Sequence, residues 1–185
     1  MVSSQVVASG PADLTEWGGA VSITFAGVLA DRSAWQLENC SIAMAMDVIG
    51  TRSSMLILRE ALCGTVRFDD FARRTRTSEA IVAARLKQLT EIGLFVKQPY
   101  QEPGKRTRDE YLLTEMGKDL LPAVFALMQW GNKHLQAEEG GPLRLVEGST
   151  GEPVTIGPRT ESGRSLNPDD LAIVANGDWV DSPSS

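Results

Sequence analysis

Two short helical periods joined by a brief turn, then a strand, a basic loop and a return strand, constrain this chain more than any other feature. The first period, RFDDFARR at 67–74, turns Phe68, Phe71 and Ala72 to one side and places Asp69 and Asp70 in a first turn, where the helix dipole favours them. The second, TSEAIVAARLKQLTEIG at 77–93, starts at a Thr77/Ser78 cap, repeats Ile81, Ala84 or Arg85, Leu86 and Leu89 on a helical spacing, and stops at Gly93. Two helices so joined form a helix-turn-helix. LFVKQPY then reads as a strand, QEPGKRTR as a loop broken by Pro and Gly, and DEYLLT as a return strand with Tyr111 and Leu113 on one face. The strands and their basic loop, 99–108, make a wing.

The flanks supply the remaining elements. Residues 1–34 are expected to form a flexible arm and a dimer-facing strap, with Asp31 able to cap a short helix leading to Cys40. Ile42, Met46 and Ile49 recur at helical spacing up to Gly50, and residues 53–62 form a second amphipathic helix closed by Gly64. Thr114 caps a long helix over 115–139 whose Leu120, Leu121, Val124, Phe125, Met128 and Leu135 exceed what one small core can absorb, which implies a partner. Pro122 inside it predicts a bend. Beyond Gly140 the composition changes, and LRLVEGSTGEPVTIG reads as a β-hairpin followed by a helical turn capped at Asn167 or Asp169. The expected fold is mainly α (α+β): an arm at 1–34, a winged helix-turn-helix with N-terminal and long C-terminal dimerisation helices at 35–138, and a small hairpin extension with its tail at 139–185.

Charge divides along the same lines. The net charge is −6, yet residues 52–108 carry twelve basic and six acidic side chains, a local +6 against −12 elsewhere. A basic middle between acidic ends suits a module that faces a polyanion. With one histidine, His134, two cysteines 23 positions apart and no CxxC, no metal site, cofactor or catalytic set is expected. The sequence lacks GxSxG and phosphate-loop motifs, which speaks against an enzyme. The most apolar N-terminal run, 20–30, is short of a membrane span and follows no basic region, so a cytoplasmic protein with reduced thiols is expected and no membrane partner.

Several segments in this order resemble the HxlR family of winged-helix transcriptional regulators, relatives of the MarR group: Cys40 before a helix ending in Gly50, LILREAL at 56–62, RFDDFARR, ARLKQLTEIGLF at 84–95, DEYLLTEMGKDLLP at 109–122 and QWG at 129–131. The resemblance covers 35–135. It implies a homodimer joined through the N-terminal and long C-terminal helices, with two winged heads on a palindromic double-stranded operator. It also places Cys40 where several family members carry a redox-sensing thiol. Two departures stand out. Thr51, Arg52, Ser53 and Ser54 replace a common Gly-Lys-Trp, keeping the basic position and losing the tryptophan. Ser149, Thr150 and Ser162 stand where some members carry paired cysteines in a C-terminal ribbon.

A helix entering the major groove needs small or short polar side chains on its exposed first turns and cations nearby for phosphates. Helix 77–92 offers Thr77, Ser78, Glu79, Ala80, Ala83 and Lys87; the hydroxyls can donate to phosphate or base, Glu79 can accept from a cytosine amino group, and the alanines can touch thymine methyls. For Thr77 and Ser78 helix capping is the other reading, and both roles can coexist. Arg85 lies nearer the core side, with an internal ion pair as the leading assignment. Arg52, Arg67, Lys105, Arg106 and Arg108 complete the expected DNA-contacting set, the wing cations on backbone or minor groove. Cys40 is the candidate redox sensor, while Cys63, at the end of an apolar helix, is expected to serve packing. Trp35, Met44, Phe125, Met128 and Trp130 are candidates for the dimer core or for a pocket holding a small effector. The other function class that fits is a winged-helix protein-interaction or dimerisation module that has lost operator binding.

Overall fold

In the computed structural model, the described residues are 23–25, 40–137 and 140–174; Trp35, Asp31 and nearly all of the expected arm lie outside them. The chain divides into two units, 36–157 and a second made from both ends. In the second unit, β1 (Thr24–Phe25) pairs in parallel with β4 (Ala172–Ile173), a pairing the local sequence did not announce. A 3₁₀ turn at Pro168–Asp170 is closed by a capping box between Asn167 and Asp170, so of the two expected caps it is Asn167 that serves.

The larger unit opens with α1 (Ser41–Ile49) and α2 (Arg52–Leu62). The Thr51 hydroxyl accepts the Ser54 amide at 3.1 Å and starts α2 one residue before the amphipathic run. Glu60, buried near the end of α2, is satisfied by Arg59 at 2.6 Å and by the Thr65 hydroxyl at 3.2 Å, so the reversal after Gly64 is tied back to the helix. Then follow α3 (Phe68–Thr75) and α4 (Glu79–Glu91), joined by Arg76, Thr77 and Ser78. Arg76 is the single non-glycine residue with positive φ among the described residues, at 51°, and it ends α3 in the left-handed conformation.

The core gathers Ile49, Ile57 and Leu58 from the first two helices, Phe71 from α3, Val82, Leu86 and Leu89 from α4, and Leu94 and Phe95 beyond it. Spacing of i, i+4 and i+7 makes 82, 86 and 89 one stripe of α4. The expected register is one residue off: Ile81 is 47% exposed and Ala84 is exposed, while Val82 is fully buried. Ile81 and Val82 are neighbours of equal apolarity, so only the packing partner decides which one turns inward.

Gly93, at φ 94°, turns the chain out of α4 into β2 (Phe95–Tyr100), which pairs antiparallel with β3 (Arg108–Leu113), Phe95 opposite Leu113 and Tyr100 opposite Arg108. The wing is joined to the helices through backbone: the Tyr111 amide donates to the Val66 carbonyl at 2.8 Å, and the Thr114 hydroxyl donates to the Gly93 carbonyl at 2.6 Å. Tyr111 and Leu113 pack on the core from one face of β3, as their alternation predicts.

The single long helix expected over 115–139 is two helices, α5 (Glu115–Lys118) and α6 (Leu121–His134). Pro122 does not bend a continuous helix; it lies in the first turn of a new one, where its missing donor and fixed φ cost least. Beyond α6, residues 143–157 fold back antiparallel where the sequence predicts a β-hairpin, but through a single bridge between Val146 and Pro153 and without strands of their own. The Gln129 side chain holds this segment to α6, donating to the Val154 carbonyl at 2.7 Å and accepting the Ile156 amide at 2.9 Å. Asn132 donates to the Leu143 carbonyl at 2.7 Å and lies so close to Gly141 that a Cβ there would be 1.9 Å from its side-chain oxygen. No single helix among the described residues is long and apolar enough to cross a membrane.

Replacing Phe71 by Ala should cost about 3–5 kcal/mol, read from the urea midpoint, whereas Ile81→Ala should move stability by less than about 0.5 kcal/mol. Gln129→Ala removes both side-chain bonds to the hairpin. Limited proteolysis should then cut within 140–157 faster than in the parent protein, while cleavage of the 41–113 region stays unchanged.

Candidate nucleic-acid interface

Burying Val82, Leu86 and Leu89 forces the opposite side of α4 into solvent. Glu79, Ala80, Ala83 and Lys87 are all exposed, as is Ser78 just before them, and Thr77 is half-buried. The small side chains at 80 and 83 leave the backbone accessible over the first two turns. Neither hydroxyl caps the helix: Ser78 occupies the N-cap position with no side-chain capping bond, and Thr77 donates to the Thr75 carbonyl at 3.3 Å. The Ser78 hydroxyl is therefore not engaged by the helix it precedes. Lys87 lies 3.8 Å from Glu91 one turn on, a weak exposed pair.

Arg85 has no internal ion pair among the described residues. Its guanidinium donates to Gln88 at 2.6 Å and its Nε is buried without a partner. Glu91, the nearest carboxylate further along α4, pairs with Lys87 instead.

Except for Arg106, the cations at the wing are held by carboxylates, although nothing in the local sequence assigns them a structural purpose. Arg108 contacts Asp69 at 2.7 Å. Arg67 reaches Glu102 at 2.8 Å and Glu110 at 3.6 Å and stacks on the Tyr100 ring, 4.7 Å from its centroid. Lys105 reaches the other oxygen of Glu102 at 2.6 Å. Burial opposes the Arg67 charge, but Tyr100, Glu102 and Glu110 outweigh it and raise the Arg67 pKa. The hydrogen bond from Lys105, helped by Arg67, lowers the Glu102 pKa, and the hydrogen bond to Asp69 raises that of Arg108. Arg106, in the same loop, has no carboxylate partner among the described residues.

Within residues 52–108, three further cations are exposed without such a partner among the described residues. Arg52 is the first residue of α2. Arg74 and Arg76, at the end of α3 and in the turn before α4, are absent from the DNA-contacting set expected above. The signal for them is the density of ARRTR immediately before the reading-helix cap.

The remaining candidates fall elsewhere. Cys40 is half-buried at the N-cap of α1, whereas Cys63 is exposed at the end of α2 and does not serve packing. It follows the last turn of α2 instead of sitting on its inward stripe. Met44 and Trp130 are exposed, Phe125 and Met128 half-buried, and the Trp130 ring lies 5.5 Å from that of His134.

This architecture has relatives. The family profile of HxlR-like helix-turn-helix proteins matches residues 48–139. The uncharacterized HTH-type transcriptional regulator Rv3095 of Mycobacterium tuberculosis is 40% identical over 117 residues, which span 63% of this chain and 73% of that one. An uncharacterized HTH-type transcriptional regulator of Methanothermobacter thermautotrophicus is 32% identical over 101 residues, 54% of this chain and 76% of its own. Among solved structures, PA1607, described as a candidate transcription factor, superposes with a TM-score of 0.64 at 37% identity, covering 73% of this chain and 94% of that one. PA1374 from Pseudomonas aeruginosa, described likewise, gives 0.54 at 33% identity over 75% and 93%. With its helix-turn-helix, its two-stranded wing and these matches over the same residues, the chain belongs to the HxlR-like helix-turn-helix family and is a transcriptional regulator, not an enzyme.

Proposed function

We propose that this regulator acts as a homodimer that binds a palindromic DNA operator, with α4 in the major groove and the wing loop against the backbone or minor groove of the same duplex. The observation that carries the DNA reading is the solvent face of α4. It presents small and short polar side chains, with Arg74 and Arg76 before it and the basic wing beyond it, the arrangement that groove insertion between two phosphate strands requires. The dimer reading rests on the apolar side chains that α1 and α6 leave in water: Ile42 is 73% exposed, Met44 59%, Leu127 55% and Trp130 56%. Single exposed apolar residues are ordinary, but with Met46, 49% exposed, these two helices leave five in water. Ile42 and Met46 lie one turn apart on α1, and Leu127 and Trp130 one turn apart on α6, which suits a second copy packed along that surface. Cys40, at the start of α1, would lie beside that surface, where an oxidant could act on it. A protein-interaction module built on the same fold, with operator binding lost, would show no salt-dependent binding to duplex DNA.

The test is fluorescence-anisotropy titration of the full chain against its own upstream intergenic fragment and a scrambled duplex, at two salt concentrations. Tight, salt-sensitive binding that prefers the upstream fragment is expected; its absence at low salt overturns the reading. Replacing both Lys105 and Arg106 by Ala should weaken binding to every duplex and reduce the salt slope by about 0.9 for each phosphate no longer neutralised. Changing Ser78 or Glu79 should instead alter preference among sequences, by about 1–3 kcal/mol at an affected base pair. Glu introduced at both Leu127 and Trp130 should convert the dimer to a monomer by light scattering and lower operator affinity without unfolding the winged head.

A further inference from the structure

The cleft between the start of α3 and the wing collects four cations, Arg67, Lys105, Arg106 and Arg108, together with the carboxylates of Asp69 and Glu102. Three of the four cations contact one of those two carboxylates, and Glu102 spends one oxygen on Arg67 and the other on Lys105. Such pairs can have either of two purposes. They can staple the wing in place, so that removing them weakens whatever the wing does. Alternatively they can occupy the cations, so that removing them frees charge for an external anion.

The rest of the wing decides between these. Its position is set by a six-pair β ladder, by the backbone bond from Tyr111 to Val66, by the Thr114 bond to Gly93, and by Phe95, Tyr111 and Leu113 in the core. Arg67 and Arg108 also belong to that framework through their backbones, but their ion-pairing side chains reach out of it: Arg108 and Asp69 are 61% and 69% exposed, Lys105 is 70% exposed, and Arg67 and Glu102 are 44% and 33% exposed. Exposed pairs of this kind add little to the stability of a strand already held by its ladder. A carboxylate oxygen and a phosphate oxygen, however, seek the same donors in the same geometry, so they compete directly.

We infer that Asp69 and Glu102 act as intramolecular phosphate mimics that hold the wing cations in the free protein and lower its sequence-independent affinity for DNA. This rests on the DNA-binding reading above and adds the residues that limit it. A phosphate of the duplex then competes with each carboxylate for the same cation, and the carboxylate keeps part of it. Counterion release is reduced, because the cations enter the complex already partly neutralised. The effect falls on backbone contacts common to all sequences, and leaves the base-facing side of α4 untouched. In a cell crowded with non-cognate DNA, such damping keeps a larger share of the regulator free to search.

The experiment compares the full-length parent with Asp69→Asn, Glu102→Gln and the double variant on a short random-sequence duplex over a salt series. Glu115→Gln, which removes an equal charge from the exposed Lys118 pair on α5, is the control. Thermal melting verifies that each variant is folded. Each wing variant should bind about threefold to tenfold more tightly at about 0.1 M salt, with a slope steeper by about 0.9 per additional phosphate neutralised. Glu115→Gln should change little. Weaker binding by the folded wing variants would assign the pairs to stapling and overturn the inference, as would unchanged binding, or an equal gain from Glu115→Gln. If neither the parent nor any variant binds duplex at low salt, the DNA-binding reading itself falls; binding by the parent without a gain in the variants removes only the competitor role.

Discussion

The edge-to-face contact between Phe71 and Phe95, with ring centroids 6.2 Å apart and both residues almost entirely buried, joins the two functional halves of this molecule. Phe71 belongs to the first helix of the helix-turn-helix and Phe95 opens the wing. Because the two rings share one core with Leu86 and Leu89 of α4, the reading helix, its supporting helix and the wing are fixed relative to one another by apolar burial. The surface above that core can then vary in charge and chemistry without disturbing the geometry. That independence permits a left-handed Arg76 in the turn and a row of exposed ion pairs on the wing.

Electrostatics on this scaffold is less one-sided than the charge count over 52–108 suggests. Arg67, Lys105 and Arg108 are offset by carboxylates drawn from α3, the wing loop and β3, at separations of three positions between Lys105 and Glu102 and of 39 between Arg108 and Asp69. Arg52, Arg74, Arg76 and Arg106 are exposed and without carboxylate partners among the described residues. Three of these four, Arg74, Arg76 and Arg106, stand at the end of α3, in the turn before α4 and in the wing loop. The basic character of the module is therefore concentrated about the reading helix instead of spread over the whole region.

The helices and the wing were legible because their signals are local: caps at Thr114 and Asn167, glycines at 64 and 93, and strict alternation at Tyr111 and Leu113. The departures have one common physical origin, which is that neighbours in sequence can be chemically equivalent and still differ in what they pack against. Ile81 and Val82 are such a pair. Cys63 is another case, apolar enough for the core yet placed one position beyond the last helical turn. Pro122 was recognised as a disruption, but whether a proline kinks a helix or begins a new one depends on whether the preceding residues have a tertiary reason to stop. Here Gly117 of α5 packs so tightly that a Cβ would meet the Leu94 carbonyl at 2.4 Å, and the short helix is docked before the next begins.

For the site, the residue types and order along the chain sufficed to identify the reading helix, its exposed small residues and the wing, since hydrophobic period and turn chemistry are properties of a few consecutive residues. The same string could not decide which cations are free. That is set by where Asp69, Glu102 and Glu110 stand in space relative to Arg67, Lys105 and Arg108, over separations of up to 39 positions. Nor could it show that Gln129 and Asn132 hold the C-terminal hairpin, because polar residues on an amphipathic helix carry no mark of a backbone partner more than ten positions away. The sequence by itself determined the elements and the family; the tertiary structure alone decided the pairing of charges and the buried register of α4, because both depend on contacts between segments that local chemistry does not encode.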